Sequence, residues 1–213
     1  MIMLADWHPD IIEFIISKVQ NPRVLRFIIE NTKDKQIKEL AKNKLKFTPL
    51  TRTEKIAYES ALRDYYLDKN VRREIEKILV EGGKWEVNNP DFLSGANISV
   101  CLTNEFMDAI EKDKEYELRF PDVENYSKQE MKDYNEKWHE VGDVREWEKM
   151  GYKIKTYRKI KARELWKLIC ICATYSGEPG IFFIDNANKM TNAVAYGQKV
   201  VATNPCSPNC TAS

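Results

Sequence analysis

The residues best suited to chemistry lie near residue 206. Asn204-Pro205-Cys206 follows directly on an apolar run, Lys199-Val-Val-Ala-Thr203. That run reads as a strand, so the thiol sits just past a strand's carboxyl end, where α/β proteins build their sites. A thiol there can be a nucleophile, a redox group or a radical carrier. It can equally be a buried structural thiol, because cysteine is among the most buried residue types. Asp185-Asn186 closes a second apolar run, Ile181-Phe-Phe-Ile184, in the same way. Asp185, Asn186, Asn204 and Cys206 are therefore the candidate site positions.

The other titratable residues read as structural. Cys101 lies between Val100 and Leu102 in a strand-like run, and Cys170 and Cys172 lie on an amphipathic helical pattern. Five cysteines scattered through an ordinary composition suit free thiols better than a disulfide framework. The close pairs Cys170/Cys172 and Cys206/Cys210 are far in sequence from His8 and His139. Structural zinc needs four ligands at characteristic spacings, so no metal site is expected. His8 reads as a hydrogen-bonding residue at a helix start and His139 as a surface residue. Trp138, Trp147 and Trp166 read as packing residues. Phosphate-binding glycine loops, His-Glu-x-x-His and Gly-x-Ser-x-Gly are all absent, which leaves nucleotide-loop, metalloprotease and serine-hydrolase readings without support.

The elements that must hold these positions alternate in type. Met1 to Ala5 is an apolar run read as a buried strand, followed by Asp6-Trp7-His8-Pro9-Asp10 and an apolar helix from Ile11 to Ile16. Residues 22 to about 82 read as four charged helices. Their apolar spacing is carried by Val24, Leu25, Ile28 and Ile29, by Ile37, Leu40, Ala41 and Leu45, by Tyr58, Leu62 and Tyr65, and by the stretch from Val71 to Val80 before Gly82-Gly83. Ile98, Val100 and Leu102 alternate as in a strand, and Thr103 opens a helix. Tyr116 to Phe120 is extended, residues 127 to 150 are helical, Tyr152 to Ile160 is extended, and Lys161 to Tyr175 is an amphipathic helix. Ile181 to Ile184 and Lys199 to Thr203 are the last two strands, the first of them read as buried. This alternation is the α/β pattern.

Lys and Arg number 34 against 33 Asp and Glu, so the chain lacks the basic excess of a general nucleic-acid binder. No run approaches the roughly 18 apolar residues of a membrane span, and the first residues lack the basic flank of a signal peptide. A soluble cytoplasmic protein is expected, with neither nucleic acid nor membrane as partner.

The order of five segments resembles the ribonucleotide reductase family. Trp7-His-Pro-Asp-Ile-Ile-Glu-Phe-Ile15 and Asn97-Ile-Ser-Val-Cys-Leu-Thr-Asn-Glu-Phe-Met107 are similar to two segments of its large subunits. Tyr157-Arg-Lys-Ile-Lys-Ala-Arg-Glu-Leu-Trp166 is similar to a helix lead-in, Glu178-Pro-Gly-Ile-Phe-Phe-Ile-Asp-Asn186 to a strand, and Ala202-Thr-Asn-Pro-Cys206 to the active-site loop. The Asn-Pro-Cys form resembles the adenosylcobalamin-dependent class, whose members include vitamin B12-dependent ribonucleoside-diphosphate reductases. The resemblance implies a ten-stranded α/β barrel with a loop through its middle. This chain would hold about four of those strands, as an internal fragment of the catalytic barrel (residues 1–213) with a helical insertion at about 20–90. It implies that Cys206 is the thiyl radical site that takes the 3′ hydrogen of a ribonucleotide, and that Asn204 hydrogen-bonds the ribose. It further implies adenosylcobalamin as cofactor, a ribonucleoside di- or triphosphate substrate, a deoxynucleotide effector acting allosterically, a dithiol reductant such as thioredoxin, and a homodimer at full length. No residue of this chain is assigned to cofactor binding.

The departures from the family pattern are equally specific. The family continues Cys-Gly-Glu, with the glutamate as acid/base, whereas this chain reads Cys206-Ser207-Pro208. The family's two further redox cysteines have no match, and Cys210 is too close to Cys206 to be one of them. The 213 residues alone are therefore expected to be inactive. Residues 206–211, Cys-Ser-Pro-Asn-Cys-Thr, also fit the opening of an intein, so an extein–intein junction of the same reductase stands as an alternative to a truncated or frame-shifted end. The insertion adjoins the stretch that in the family communicates with the effector. It can tune that communication or be inert decoration, and decoration is favoured because surface insertions cost little. A helical interaction module without catalysis is the rival reading of residues 20–90, but it leaves the strands and the Asn-Pro-Cys segment unexplained.

Overall fold

The computed structural model describes residues 1–88 and 95–203 and the backbone of 210–212. In chain order the elements are β1 (Ile2–Ala5), α1 (Ile11–Ser17), α2 (Pro22–Asn31), α3 (Lys35–Asn43), β2 (Leu45–Pro49), α4 (Arg52–Ala61), α5 (Lys69–Glu81) and β3 (Gly83–Val87). They continue with β4 (Ile98–Leu102), α6 (Asn104–Glu111), β5 (Glu115–Pro121), α7 (Lys128–Val141), α8 (Val144–Lys149) and β6 (Ile154–Lys161). The last are α9 (Ala162–Ser176), β7 (Gly180–Phe183), α10 (Ile184–Met190), β8 (Val200–Thr203) and β9 (Cys210–Ala212).

Strands β1, β4 and β7 form one parallel sheet in that spatial order, with Ala5 opposite Cys101 and Leu102 opposite Phe183. Parallel neighbours need crossover connections, and helices supply them here. All five residues of β4 are buried, as expected of a central strand covered on both faces. Its Val100 and Leu102 join a core with Ile11, Ile12, Ile15 and Ile16 of α1 and Leu165, Leu168, Ile169 and Cys172 of α9. At Gly180, where β7 packs on β4, a Cβ would stand 2.6 Å from the Ser99 hydroxyl and would force that side chain to shift.

The described residues also form three antiparallel pairs: β2 with β3, β5 with β6, and β8 with β9. The β5–β6 ladder shifts register between Leu118 and Arg119. Beside it, Trp147 is fully buried, stacks on Tyr152 at 4.1 Å, and donates from Nε1 to the Tyr126 hydroxyl at 2.8 Å. Trp147 is thus a packing residue, and Trp138 and Trp166 lie partly buried against the main core.

Several expectations need correction. The span 22–82 is not wholly helical, because Leu45 belongs to β2 and not to the helix before it. Leu45 follows Lys44, the C-cap of α3, and pairs across the ribbon with Val87, a non-local partner that helical spacing cannot reveal. Tyr65 lies beyond α4 and is 90% exposed, so it does not share the apolar side of Tyr58 and Leu62. Strand β7 ends at Phe183, one residue early, and Ile184 already belongs to α10. Neither β7 nor β1 is buried throughout. Both are edges of the three-stranded sheet, and Ile2, Ile181 and Phe183 are exposed. Among the described residues the fold is mixed α/β with a three-stranded parallel sheet and no closed barrel.

Candidate active site

The parallel strands all end on one edge of the sheet. Just past those ends lie Asp6 after β1, Thr103 after β4 and Asp185 in the first turn of α10 after β7. Asp6 is fully buried. The Thr103 backbone N–H donates to its Oδ2 at 2.6 Å, the Thr103 hydroxyl to the same oxygen at 3.0 Å, and the Tyr116 hydroxyl to Oδ1 at 2.9 Å. Thr103 is also the N-cap of α6, its hydroxyl accepting from the Phe106 N–H at 3.2 Å. One threonine thus starts a helix and binds two neighbouring strand ends together.

Burial pushes the Asp6 carboxyl up to about 7, against the opposing pull of the Thr103 and Tyr116 hydrogen bonds and of the Arg145 charge. Burial, and then the proximity of Asp6, raises the Tyr116 phenol well above its ordinary value. The same two causes push the Cys101 thiol up to about 12, and burial does the same for Cys172. Both thiols stay protonated at neutral pH, which suits core residues and not nucleophiles.

A second cluster adjoins the first. Arg145 donates from Nη1 and Nη2 to the two carboxylate oxygens of Asp185, each at 2.7 Å. Its Nη2 and Nε reach Asp143 at 2.7 and 3.1 Å. Asp185 also accepts the Asn104 N–H, the first of α6, at 2.7 Å. Such forked pairing is the strong form of the carboxylate–guanidinium bond. Hydrogen bonds from Arg145 hold Asp185 below the ordinary carboxylate range, and hydrogen bonds to Asp185 and Asp143 hold Arg145 above its own. For Asp143, burial pushes upward but the contacts with Arg145 prevail, and the carboxyl is lowered. With every group ionised and engaged, this cluster orients elements and does not exchange protons.

The same helix reaches the strand that leads to the candidate thiol. Asn188 of α10 accepts the Val200 N–H on Oδ1 at 2.7 Å and donates from Nδ2 to the Val200 carbonyl at 3.0 Å. Farther along β8, the Thr203 N–H donates to the Met3 sulfur of β1 at 3.3 Å. At the opposite edge of the sheet Glu178 pairs with Lys18 at 3.0 Å and accepts the Ile98 N–H at 3.2 Å.

The structure therefore places Asp185 at a strand end, as expected. Asn186 follows in the same turn of α10. Asn204 and Cys206 lie outside the described residues. Asp6 and Thr103 were open to detection by the rule that selected Asp185, since each ends an apolar run. The Arg145–Asp185 and Asn188–Val200 contacts carried no local signal, because those partners lie 40 and 12 residues apart in sequence. His8 accepts the Asp10 N–H on Nδ1 at 3.1 Å, and burial lowers its pKa.

Among the described residues, a groove of about 390 Å³ lies between α2, α5 and β3. It is lined by Arg23, Arg26, Glu74, Glu81 and Trp85, and its charges pair with one another. That volume is near the lower end for pockets that enclose a drug-sized ligand, and a corrin ring with its nucleotide loop is larger. That groove therefore does not form a seat for adenosylcobalamin.

Residues 1–210 match the family model described as the ribonucleotide reductase barrel domain. The vitamin B12-dependent ribonucleoside-diphosphate reductase of Thermoplasma acidophilum is 28% identical over 114 residues, which cover 54% of this chain and 11% of that protein. The chain thus matches about a tenth of that relative's length. A parallel sheet whose strands end in a polar cluster agrees with a match that runs through almost every described element, and the chain belongs to the ribonucleotide reductase barrel-domain family.

Proposed function

We propose that this chain is a section of the catalytic barrel of a ribonucleotide reductase, and that the full-length protein reduces ribonucleotides to deoxyribonucleotides. The observation that carries the reading is the family match over residues 1–210, which spans the sheet, its polar edge and the Asn204-Pro205-Cys206 segment that follows β8. Cys206 is the radical residue in this reading. Its sulfur radical takes the 3′ hydrogen of the ribose, leaving a thiol on the protein and a carbon radical on the substrate. Asn204 hydrogen-bonds the ribose. Loss of water from C2′ and delivery of two electrons complete the reduction, and those electrons come from a dithiol. The substrate is a ribonucleoside di- or triphosphate, a deoxynucleotide acts as effector, and the full-length enzyme is a homodimer. Residues at about 20–90 form an insertion in this reading.

The name of the Thermoplasma relative supports adenosylcobalamin as the radical source. No described residue is assigned to that group. What these residues do is hold the strand ends in register through Asp6, Thr103 and Asp185.

The test is reduction of ribonucleotides by the full-length protein with adenosylcobalamin and a dithiol. Turnover is expected in the wild type and its loss, by at least about a thousandfold, in Cys206→Ser, because the nucleophile or radical residue of such a site is not replaceable by its neighbours. Undiminished turnover in Cys206→Ser would overturn the assignment. The 213-residue chain alone is expected to show no turnover.

A further inference from the structure

Helix α5 turns one face wholly to solvent. Lys69, Arg73, Glu76 and Val80 follow one another at steps of four, three and four residues, which places them on a single stripe of the helix. All four are exposed, and Val80 is 88% exposed. Ile75, the one buried residue of α5, lies on another side. The charges on the stripe select the kind of partner that fits it. Arg73 stands just before the helix midpoint and Glu76 just after it. Among the described residues neither forms an ion pair, although their neighbours do: Glu74 pairs with Arg23, and Glu81 with Arg26 at 2.9 Å. Two copies of this helix laid side by side and antiparallel bring Arg73 of each level with Glu76 of the other, so a two-fold arrangement makes the contact twice. A parallel pair in register would instead set like charges level. At the ends, the antiparallel pair brings Val80 of each copy to the level of Lys69 of the other, next to the loop between α4 and α5. That loop carries Tyr65 and Tyr66, 90% and 91% exposed, with ring centres 5.6 Å apart. It is fastened: Arg72 donates to the Leu62 and Asp64 carbonyls at 2.8 and 2.7 Å, and the Tyr66 N–H donates to the Asp64 carboxylate at 2.9 Å. Tyrosines on a fastened loop bury area with little loss of freedom, which suits them to interfaces. Residues 45–87 hold nine Lys and Arg against eight Asp and Glu, so a second copy meets little net repulsion.

We propose that the exposed face of α5 is a self-association surface: it pairs antiparallel with α5 of a second copy of the chain, Arg73 of each copy against Glu76 of the other. A helix of 13 residues is about 20 Å long. Two such helices bury less than the roughly 1,200–2,000 Å² of a stable interface, so the association is weak and sensitive to salt. The inference goes beyond the reductase reading and does not depend on it, because it concerns association and not turnover.

The experiment measures self-association of the full-length protein by sedimentation velocity over a range of concentrations. Arg73→Glu alone, and Glu76→Arg alone, each set like charges level across the pair in both contacts. Each is expected to weaken association by at least about tenfold. The double variant Arg73→Glu/Glu76→Arg restores opposite charges and is expected to associate within about threefold of wild type. Raising the salt to about 0.5 M should weaken the wild type and the double variant alike. Both positions are exposed, so the melting temperature of every variant should stay close to wild type. Three outcomes would each overturn the proposal: a wild type that does not associate, single variants that associate as the wild type does, or a double variant no better than the singles. The second of these, with a wild type that does associate, would place the contact between copies on another face.

Discussion

Two parts of this molecule are held together by different physics. The sheet β1–β4–β7 with α1, α6 and α9 is built on burial: Ile11, Ile15, Val100, Phe106, Leu165 and Ile169 are all essentially inaccessible to solvent. The outer part, α4, α5 and the β2–β3 ribbon, has little core of its own. Helix α4 buries no residue and α5 buries only Ile75. Caps and ion pairs hold this part instead. Thr51 and Glu54 form a capping box on α4, Lys84 bonds Glu54 at 2.9 Å, and Arg26 bonds Glu81 at 2.9 Å. Helices α2 and α3 stand between the two parts in sequence but join the main core through Val24, Leu25, Ile28, Ile37 and Ala41. Burial makes a unit cooperative, whereas exposed polar contacts contribute little each, so the outer part is expected to open independently of the sheet.

The largest effect should come from the inner part. Phe106→Ala empties a fully buried site against Tyr116, whose ring centre is 4.9 Å away, and should cost about 3–5 kcal/mol by chemical denaturation. Val80→Ala, at a position 88% exposed on α5, should stay within about 0.5 kcal/mol. Comparable losses at the two positions would erase the distinction between the regions.

The next effect is a pH dependence belonging to the inner part alone. In the fold Asp6 keeps its proton up to about 7, against an ordinary value of 3.8. Between those values the folded state binds more protons than the unfolded one. This contribution to stability is therefore complete below about 4 and is lost as pH rises through about 7. The loss should be on the order of a few kcal/mol. Asp6→Asn should flatten the stability profile between pH 4 and 7, and a slope equal to wild type would show that the group titrates elsewhere.

The smallest effect belongs to the outer part. Thr51→Ala removes the α4 cap and should cost that helix about 1 kcal/mol. Hydrogen exchange should quicken in residues 52–61, while exchange in α1 and α9 stays as in wild type. Equal acceleration in α9 would mean that the outer helices unfold together with the core, and the comparison would then need redrawing.

Much of the site's framework was legible because it follows from local rules. The apolar period of α1 and α9, the alternation in β4, the Thr51 and Thr103 caps and the stop at Gly82, whose φ is +71°, all act within a few residues. Asp185 was legible as a polar residue at a strand end. The β2–β3 ribbon was not, because Leu45 pairs with Val87 across 42 residues and the alternation within each strand is too short to stand out. The exposure of β7 was not legible either, because four apolar residues look the same at a sheet's edge as at its centre.

By itself the sequence determined the α/β class, several elements such as α1, β4 and α9, and the family segments, since backbone propensity and side-chain periodicity are written residue by residue. Only the tertiary structure decided that Asp6, Thr103 and Tyr116 share one buried cluster, that Arg145 grips Asp185, and that Asn188 supports β8. Each of those contacts joins residues remote in sequence: the first two form where parallel strands bring their carboxyl ends to one edge and buried polar groups must find partners, and the third where α10 meets the start of β8.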